Sequence, residues 1–412
     1  ASTGIDVTGE VAASQDYPNF RPTLDLNFAA EKKLDPRITY SRTGPASFVN
    51  EFGKVVFVGD NIPRFDHDLD TGECKGLLIE ESRTNVAPYA NDMSQYAGHN
   101  ISNTANDAVA PDGTTTATKV EHGGSGTSYL DYNSATINAA GAGSYTYSVW
   151  LKAPDDQPDG YYGCQLAVLH STGGNVEPTV SLNSTWTRYT VTKTFGASDP
   201  GKLRVHIVMF RASPGSTYGG KVIPSYVWAW GAQIEQGAFA TSYIPTAGAT
   251  RGADFVKVEG EEFAEFYNNA TEHTTVMVGK RLGDTVTDGR LYTISDGTTS
   301  QVAPDWDFND DTKLRISSNV GGNSQMVQEL NPFNERNDEF KIAAGMAVNN
   351  QIGVVNGTAI ASADTSCLMP TGVDRLYFGL RGDEGNQGSL TIKRFMYYPK
   401  RLPDSQLVTL TS

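Results

Sequence analysis

The sequence has few of the residues on which covalent and metal chemistry usually depends. Its 412 residues include only three cysteines, Cys74, Cys164 and Cys367, which are odd in number and far apart. This spacing predicts neither a disulfide framework nor a zinc site, and it is typical of assembly in a reducing cytosol. The six histidines form no HExxH motif, and no Gly-x-Ser-x-Gly motif occurs. The sequence therefore gives no support for a metal-dependent or nucleophilic enzyme.

Basic residues and long apolar runs are also scarce. The 32 lysines and arginines are outnumbered by 47 aspartates and glutamates, which gives a net charge of -15. A surface of this charge repels phosphate backbones and anionic lipids. No stretch approaches the roughly 20 apolar residues of a membrane-spanning helix, and the N-terminal segment lacks the apolar core of a signal peptide. We therefore expect no nucleic-acid partner, no membrane insertion and synthesis in the cytoplasm.

Glycine, by contrast, is abundant, with 42 residues, while long amphipathic helical patterns are scarce. Short alternating segments separated by Gly, Asn and Pro turns predict an all-β fold. The length of the chain predicts two or three domains, each large enough to bury a core.

Residues 62–85 have the pattern of two short strands around an acidic turn. Asp68, Asp70 and Gly72 are turn residues, because Asp side chains accept from nearby backbone N–H groups and Gly tolerates a positive φ. The apolar run 76–79 then predicts the second strand. Opposite charges lie close together on both sides of the turn, which suits an assembly interface or a packed loop. The candidate interface residues are Arg64, Phe65, Asp66, Glu80, Glu81 and Arg83.

This segment resembles a signature segment of bacteriophage virion proteins, a family of tail fibres, receptor-binding proteins and related surface proteins. Three further blocks resemble the same family in the same order: residues 20–55, residues 230–254 and residues 392–407. The resemblance implies display on the virion surface, on the tail or the capsid exterior, after synthesis in a bacterial host. It also implies other virion proteins as partners and self-association, most often as a homotrimer.

The predicted architecture is a series of tandem β-sandwich domains behind an extended N-terminal arm, residues 1–19. A signature and attachment region follows in residues 20–95. Residues 96–248 have strand and turn signals at the spacing of a jelly roll and resemble carbohydrate-binding modules. Residues 249–412 resemble a concanavalin A-like (laminin G-like) sandwich.

The candidate ligand-binding residues are aromatic, because the apolar C–H faces of sugar rings stack on exposed aromatic side chains. In the predicted strand 144–152, Trp150 lies on the face opposite the apolar residues, so we expect it to be an exposed sugar platform. Trp228 shares a face with Trp230, which we assign to the core, and Trp228 itself suits either role. Tyr161 and Tyr162 follow a turn at a loop rim, where they suit either binding or surface filling.

A second candidate site is acidic. Asp305, Asp307, Asn309 and Asp311 place oxygen donors at alternate positions, like the opening of a calcium loop. The sixth position lacks Gly, and Ile316 stands where a bidentate Glu is required. A solvated acidic turn is therefore favoured, with Ca²⁺ as the alternative, and no other cofactor is expected.

Three functions remain open at this point. The first is a non-enzymatic adhesin that recognises host surface glycan. The second is a capsid decoration or tail-adaptor protein with little or no sugar binding. The third is a polysaccharide depolymerase, which needs two carboxylates about 5–10 Å apart across the scissile bond. It is the least supported, because the E-x-D-x-x-E strand of some concanavalin A-like enzymes is absent.

Overall fold

The computed structural model describes residue 18 and residues 21–90, 92–138, 143–170, 176–196, 202–245, 248–268, 270–283, 289–298, 300–307, 310–330, 339–385 and 387–412. Within these ranges the chain consists of antiparallel sheets with three short α-helices, which confirms the predicted all-β fold class. Most of the predicted N-terminal arm lies outside the described residues.

The strands of the signature region are short. They are β1 Leu24–Leu26, β2 Thr39–Ser41, β3 Ala46–Val49, β4 Val55–Val58, β5 Phe65–His67, β6 Cys74–Ile79 and β7 Arg83–Thr84. A short helix, α1 (Phe28–Glu31), follows β1, and a 3₁₀ turn at Met93–Gln95 closes the region.

The jelly-roll part contains longer strands. They are β8 Ala97–His99, β9 Ile101–Ala108, β10 Ala117–His122, β11 Ser128–Asn138, β12 Gly143–Lys152, β13 Gly163–His170, β14 Thr179–Ser181, β15 Thr187–Phe195, β16 Lys202–Phe210, β17 Thr217–Tyr218, β18 Lys221–Val222 and β19 Tyr226–Gln236. Two five-stranded sheets result, in the orders β15-β12-β19-β10-β9 and β14-β13-β16-β11-β8. Tyr147, Val149 and Leu151 of β12 contribute to the buried core of this sandwich.

The C-terminal part contains α2 (Glu261–Phe266), α3 (Asp404–Thr411) and the remaining strands. The strands are β20 Thr250–Arg251, β21 Phe255–Glu259, β22 Glu272–Arg281, β23 Tyr292–Ser295, β24 Gln301–Asp307, β25 Asp310–Val320, β26 Asn323–Leu330, β27 Glu339–Ala347, β28 Ile352–Val355, β29 Thr358–Ala359, β30 Arg375–Phe378 and β31 Leu390–Tyr398. Its two large sheets have the orders β29-β28-β27-β22-β31-β6-β5, with β1 also paired to β31, and β2-β21-β30-β23-β24-β25-β26.

The signature region thus completes the C-terminal sandwich. Strands β1, β5 and β6 extend one of its sheets and β2 extends the other, while β3 and β4 form a separate hairpin. Leu77 and Ile79 of β6 are fully buried in the same core as Phe395 of β31, so burial of apolar area fixes the strand in place. The same pairing positions the charged residues that flank β5 and β6 next to the jelly roll.

Candidate functional site

Arg64 lies at the centre of a buried ionic cluster between the two sandwiches. Its guanidinium is fully buried and donates to Glu80 Oε2 at 2.7 Å and to Asp254 Oδ2 at 2.6 Å. Arg251 Nη1 approaches Glu80 Oε2 at 3.2 Å. These four residues are named here the Arg64 cluster. The fully buried Arg42 adds a third cation, with its Nε 3.4 Å from Asp254 Oδ1, so each buried carboxylate has cationic partners.

Glu80 receives further donors from the segment that leaves the jelly roll. The backbone N–H and the hydroxyl of Ser242 donate to its two carboxylate oxygens at 2.7 and 2.6 Å. Burial alone would raise the pKa of Glu80, but the charges of Arg251 and Arg64 lower it to about 2. Burial alone would lower the pKa of Arg64, but the carboxylates of Asp254 and Glu80 hold it above its ordinary value.

The sequence predicts an assembly interface at six residues in and around β5, β6 and β7. This prediction is wrong for Arg64, Phe65 and Glu80, which are buried within the chain itself. Arg64 and Glu80 both bond to Asp254, which lies 190 and 174 residues further along the same chain, because the signature region and the segment after β19 pack against each other.

The other three predicted interface residues are less buried. Asp66 Oδ1 accepts from the backbone N–H of Val49 at 2.8 Å. Glu81 and Arg83 are half-buried and paired with each other, and Arg83 stacks over the ring of Phe239 at 5.2 Å.

Trp150 is also buried, and the prediction that it is an exposed platform is wrong. It is only 5% exposed, and its ring packs against Trp230 and Tyr243 with centroid distances of 5.3 and 5.4 Å. The guanidinium of Arg188 covers the ring at 4.4 Å. At Gly231, which has φ +67°, a Cβ would come within 2.7 Å of Trp150 Cε3, so the packing requires glycine there.

The alternation of β12 nevertheless places Trp150 on the face opposite the jelly-roll core, as the sequence indicates. Part of that outer face is covered by the segment 241–244, which contacts Arg188, Glu235 and Trp150. Ser148 and Glu235 on the covered part are fully buried and bonded to Arg188 and Thr241. A strand pattern predicts which face a side chain occupies, but not whether another domain covers that face.

The other part of the outer face is open, and it carries Trp228. Its indole Nε1 donates to Asp107 Oδ2 at 2.7 Å, and its ring meets Tyr226 at 5.0 Å in a T-shaped pair. Lys119 and Lys152 pair with Trp228 in register from the two neighbouring strands. The ammonium of Lys152 lies 5.4 Å from the Trp228 ring and has no carboxylate partner among the described residues.

Tyr161 and Tyr162 lie at the rim of the same open region. Tyr161 is 45% exposed and meets Tyr162 in a second T-shaped pair at 5.2 Å. The Tyr162 hydroxyl donates to Asp156 Oδ2 at 3.3 Å. The pKa of Tyr162 is raised by partial burial, by Asp156 and by the phenols of Tyr161 and Tyr226. Tyr162 also forms a parallel β-bridge with Val222, four residues before Tyr226.

Four aromatic side chains, Tyr161, Tyr162, Tyr226 and Trp228, thus form two T-shaped pairs on segments that meet at the Tyr162–Val222 bridge. The region is named here the open aromatic face. Tyr161, Tyr162 and Trp228 are candidates from the sequence. Tyr226 is not, although its spacing of two residues from Trp228 on a strand indicates that the two share a face. Polar groups of Asp107, Asp156 and Lys152 surround the rings. Such a surface can stack apolar ring faces and donate or accept hydrogen bonds at its edge.

The acidic candidates at 305–311 occupy a hairpin. Asp305 and Asp307 belong to β24 and Asp311 to β25, and Asp305 pairs with Arg315 across the ladder. Asn309 lies outside the described residues, and the side chains of Asp305, Asp307 and Asp311 are not described either, so the calcium alternative stays a prediction. Among the residues that are described, no group of three or more His, Cys, Asp or Glu side chains is placed to hold a metal ion. No helix in those same ranges is long and apolar enough to cross a membrane.

No family model matches the chain, and no curated protein matches it. Among solved structures, a sialidase carbohydrate-binding module from Ruminococcus gnavus, bound to α2,3-sialyllactose, is 18% identical with a TM-score of 0.31, covering 35% of this chain and 84% of that one. Domain 4 of an extracellular arabinanase from Geobacillus stearothermophilus is 14% identical, with a TM-score of 0.30 and coverages of 40% and 77%.

A xylan-binding domain from Paenibacillus barcinonensis is 8% identical, with a TM-score of 0.26 and coverages of 38% and 92%. Matches with TM-scores this low show nothing about the ligand of this chain. The fold therefore rests on the strand pairing described above, and the function must be argued from the side chains.

Proposed function

We propose that this chain is a non-enzymatic bacteriophage virion protein that binds a host surface glycan through the open aromatic face. The observation that carries the proposal is the presence of two aromatic pairs, Tyr161 with Tyr162 and Tyr226 with Trp228, on segments of the jelly roll that meet at the Tyr162–Val222 bridge. Aromatic rings supply apolar stacking surface for sugar rings, while Asp107, Asp156 and Lys152 supply polar groups at the edge.

The virion setting follows from the four sequence blocks that resemble phage surface proteins. Residues of these blocks build the Arg64 cluster, which fixes the jelly roll to the C-terminal sandwich. A rigid joint of this kind suits a protein that must hold a binding face at a defined orientation on a particle. We propose display on a tail fibre as a homotrimer, because several weak sites on one particle raise avidity without new contacts.

The absence of catalysis is part of the same proposal. Glu80 is a buried carboxylate to which Arg64 and Ser242 donate, and Arg251 forms an ion pair with it at 3.2 Å. A carboxylate with a pKa near 2 that is saturated with donors is a poor proton donor and a poor nucleophile.

A tail-adaptor or capsid-decoration role is the second candidate, and one observation favours it. Phe52 at the tip of the β3–β4 hairpin is 77% exposed, and Ile62, also in the signature region, is 49% exposed. Exposed apolar side chains on an ordered turn suit docking onto another virion protein.

The test compares Trp228→Ala with Phe52→Ala in the intact protein, first on an array of bacterial surface polysaccharides and then by affinity for the best ligand. We expect Trp228→Ala to weaken binding by about tenfold or more, which corresponds to about 1.4 kcal/mol. Trp228→Phe should retain part of the affinity, and Phe52→Ala should retain all of it.

The adaptor role predicts the reverse pattern. Phe52→Ala would then reduce incorporation into virions, and no polysaccharide would bind. Equal glycan affinity of the wild type and Trp228→Ala would contradict the adhesin proposal, provided that both proteins unfold at the same temperature.

A further inference from the structure

A cleft of about 600 Å³ opens between the two sandwiches, next to the Arg64 cluster and apart from the open aromatic face. Its walls come from three parts of the chain. Asp66 and Asp70 belong to the signature region, Trp186 and Thr190 to the jelly roll, and Phe239 to the segment after β19. This volume lies within the usual range for small-ligand sites, about 300–1,000 Å³.

We infer that this cleft is a second saccharide site, specific for an uncharged sugar unit. The inference rests on the proposed function only in its choice of sugar as the ligand class.

The two aromatic walls are held in place without a ligand. Trp186 is half-buried, and its indole Nε1 donates to the carbonyl of Val109 at 3.0 Å. Phe239 lies under the guanidinium of Arg83 and against Gly283, where a Cβ would come within 1.9 Å of the Phe239 ring. Fixed aromatic surfaces lower the entropy cost of binding a ring.

Three polar groups in the cleft are uncommitted. Asp66 Oδ1 accepts from Val49 N, but within the described part of the chain its second oxygen has no hydrogen-bond partner. The same holds for the carboxylate of Asp70 and the hydroxyl of Thr190. By contrast, Glu80 is saturated by its arginine and serine donors.

These free groups select for hydroxyl-rich, uncharged ligands. Sugar hydroxyls can donate to both carboxylates, and the Thr190 hydroxyl can donate or accept. An anionic sugar would meet Asp66, Asp68 and Asp70. Lys75 is paired with Asp68 Oδ2 at 3.3 Å and offsets only part of this charge. The other cation in the lining, Arg188, is directed to the Trp150 ring, the Ser148 hydroxyl and the Thr241 carbonyl.

Each of the two candidate sites contains a tryptophan, so ligand binding at the two sites can be monitored separately. In the intact protein, the indole Nε1–H resonances of Trp186 and Trp228 report on the cleft and on the open aromatic face, after assignment with Trp→Phe variants. The probes are the methyl glycosides of glucose, galactose and mannose, with glucuronic acid as the anionic control.

We expect at least one neutral glycoside to shift the Trp186 resonance in a saturable manner, and glucuronic acid to leave it unmoved. Thr190→Trp, at an exposed position on an edge strand, should fill the cleft and weaken this response by tenfold or more. Asp66→Asn should weaken it less, and Trp228→Ala should leave it unchanged.

The inference is overturned if no neutral glycoside moves the Trp186 resonance, or if glucuronic acid moves it equally. A response at Trp228 alone would overturn the cleft site and leave the proposed function intact. A response at Trp186 that is lost in Thr190→Trp, with none at Trp228, would support the cleft and contradict the open aromatic face.

Discussion

The guanidinium of Arg64 donates to the carboxylate of Asp254 at 2.6 Å, although 190 residues separate them in the chain. Both side chains are fully buried. Asp254 also accepts from the Tyr40 hydroxyl at 2.5 Å and from the backbone N–H of Glu80 at 2.8 Å. This contact ties the signature region to the start of the C-terminal sandwich, at the point where the jelly roll meets both.

Replacement of Arg64 should therefore be costly. Arg64→Ala leaves the carboxylates of Glu80 and Asp254 buried with less compensating charge, and we expect a loss of about 3–5 kcal/mol in unfolding free energy. Denaturant unfolding measures it. The control is Arg394→Ala, which removes an exposed pair with Asp25 and should cost about 1 kcal/mol or less. Equal losses for the two variants would contradict the role assigned to the Arg64 cluster.

The low pKa of Glu80 predicts a pH dependence. Its folded-state value of about 2 lies below the ordinary 4.5, so its contribution to stability is fully present above pH 4.5 and is lost as the pH falls toward 2. The difference in unfolding free energy between the wild type and Glu80→Gln should shrink in that window, by up to about 1.4 kcal/mol per pH unit. A difference that stays constant from pH 6 to pH 3 would refute the assignment.

The buried His273 predicts a second loss of stability, in a higher pH range than that of Glu80. The ring is fully buried and stacks on Tyr397 at 5.4 Å, and burial lowers its pKa to about 3. The unfolded chain takes up a proton below pH 6.5 and the folded chain does not, so stability falls as the pH drops from 6.5 toward 3.

His273→Phe should remove this component at little cost near pH 8, because neither ring nitrogen has a hydrogen-bond partner among the described residues. Thermal unfolding of both proteins at pH 8, 6 and 4.5 checks it. Identical pH profiles would show that His273 titrates normally.

Replacement of Trp150 should affect mainly the stability of the protein, and replacement of Trp228 mainly its glycan affinity. Trp150→Ala opens a cavity beside Trp230 and Tyr243, and we expect a loss of about 3–5 kcal/mol. Trp228→Ala, on the open part of the same sheet face, should cost about 1 kcal/mol or less and should reduce glycan affinity instead. Calorimetry together with ligand titration distinguishes the two outcomes, and a large stability loss in Trp228→Ala would count against its surface role.

Within a single strand, the sequence pattern predicts which face of the sheet each side chain occupies. Alternation places Trp150 opposite the jelly-roll core and places Tyr226 beside Trp228, and both placements hold. Alternation does not predict that residues 241–244 cover part of that face, because the cover comes from distant segments. This cover from distant segments makes Trp150 a core residue, while Trp228 is only half-buried.

The Arg64 cluster illustrates the same limit. Arg64 and Glu80 lie in one of the four sequence blocks and Arg251 and Asp254 in another, and charges that become buried need partners. This is a signal that the blocks pair with each other. It does not say whether the partner lies in the same chain or in a neighbouring subunit, and the structure places it in the same chain.

The most direct test of the account is a crystal structure of the intact protein with the polysaccharide fragment that binds best on the array. We predict a sugar ring stacked on Trp228 or Tyr226, within about 4 Å of the aromatic ring, with hydroxyls near Asp107 or Lys152. A fragment bound on any surface that leaves Trp228, Tyr226, Tyr161 and Tyr162 untouched would contradict the central claim.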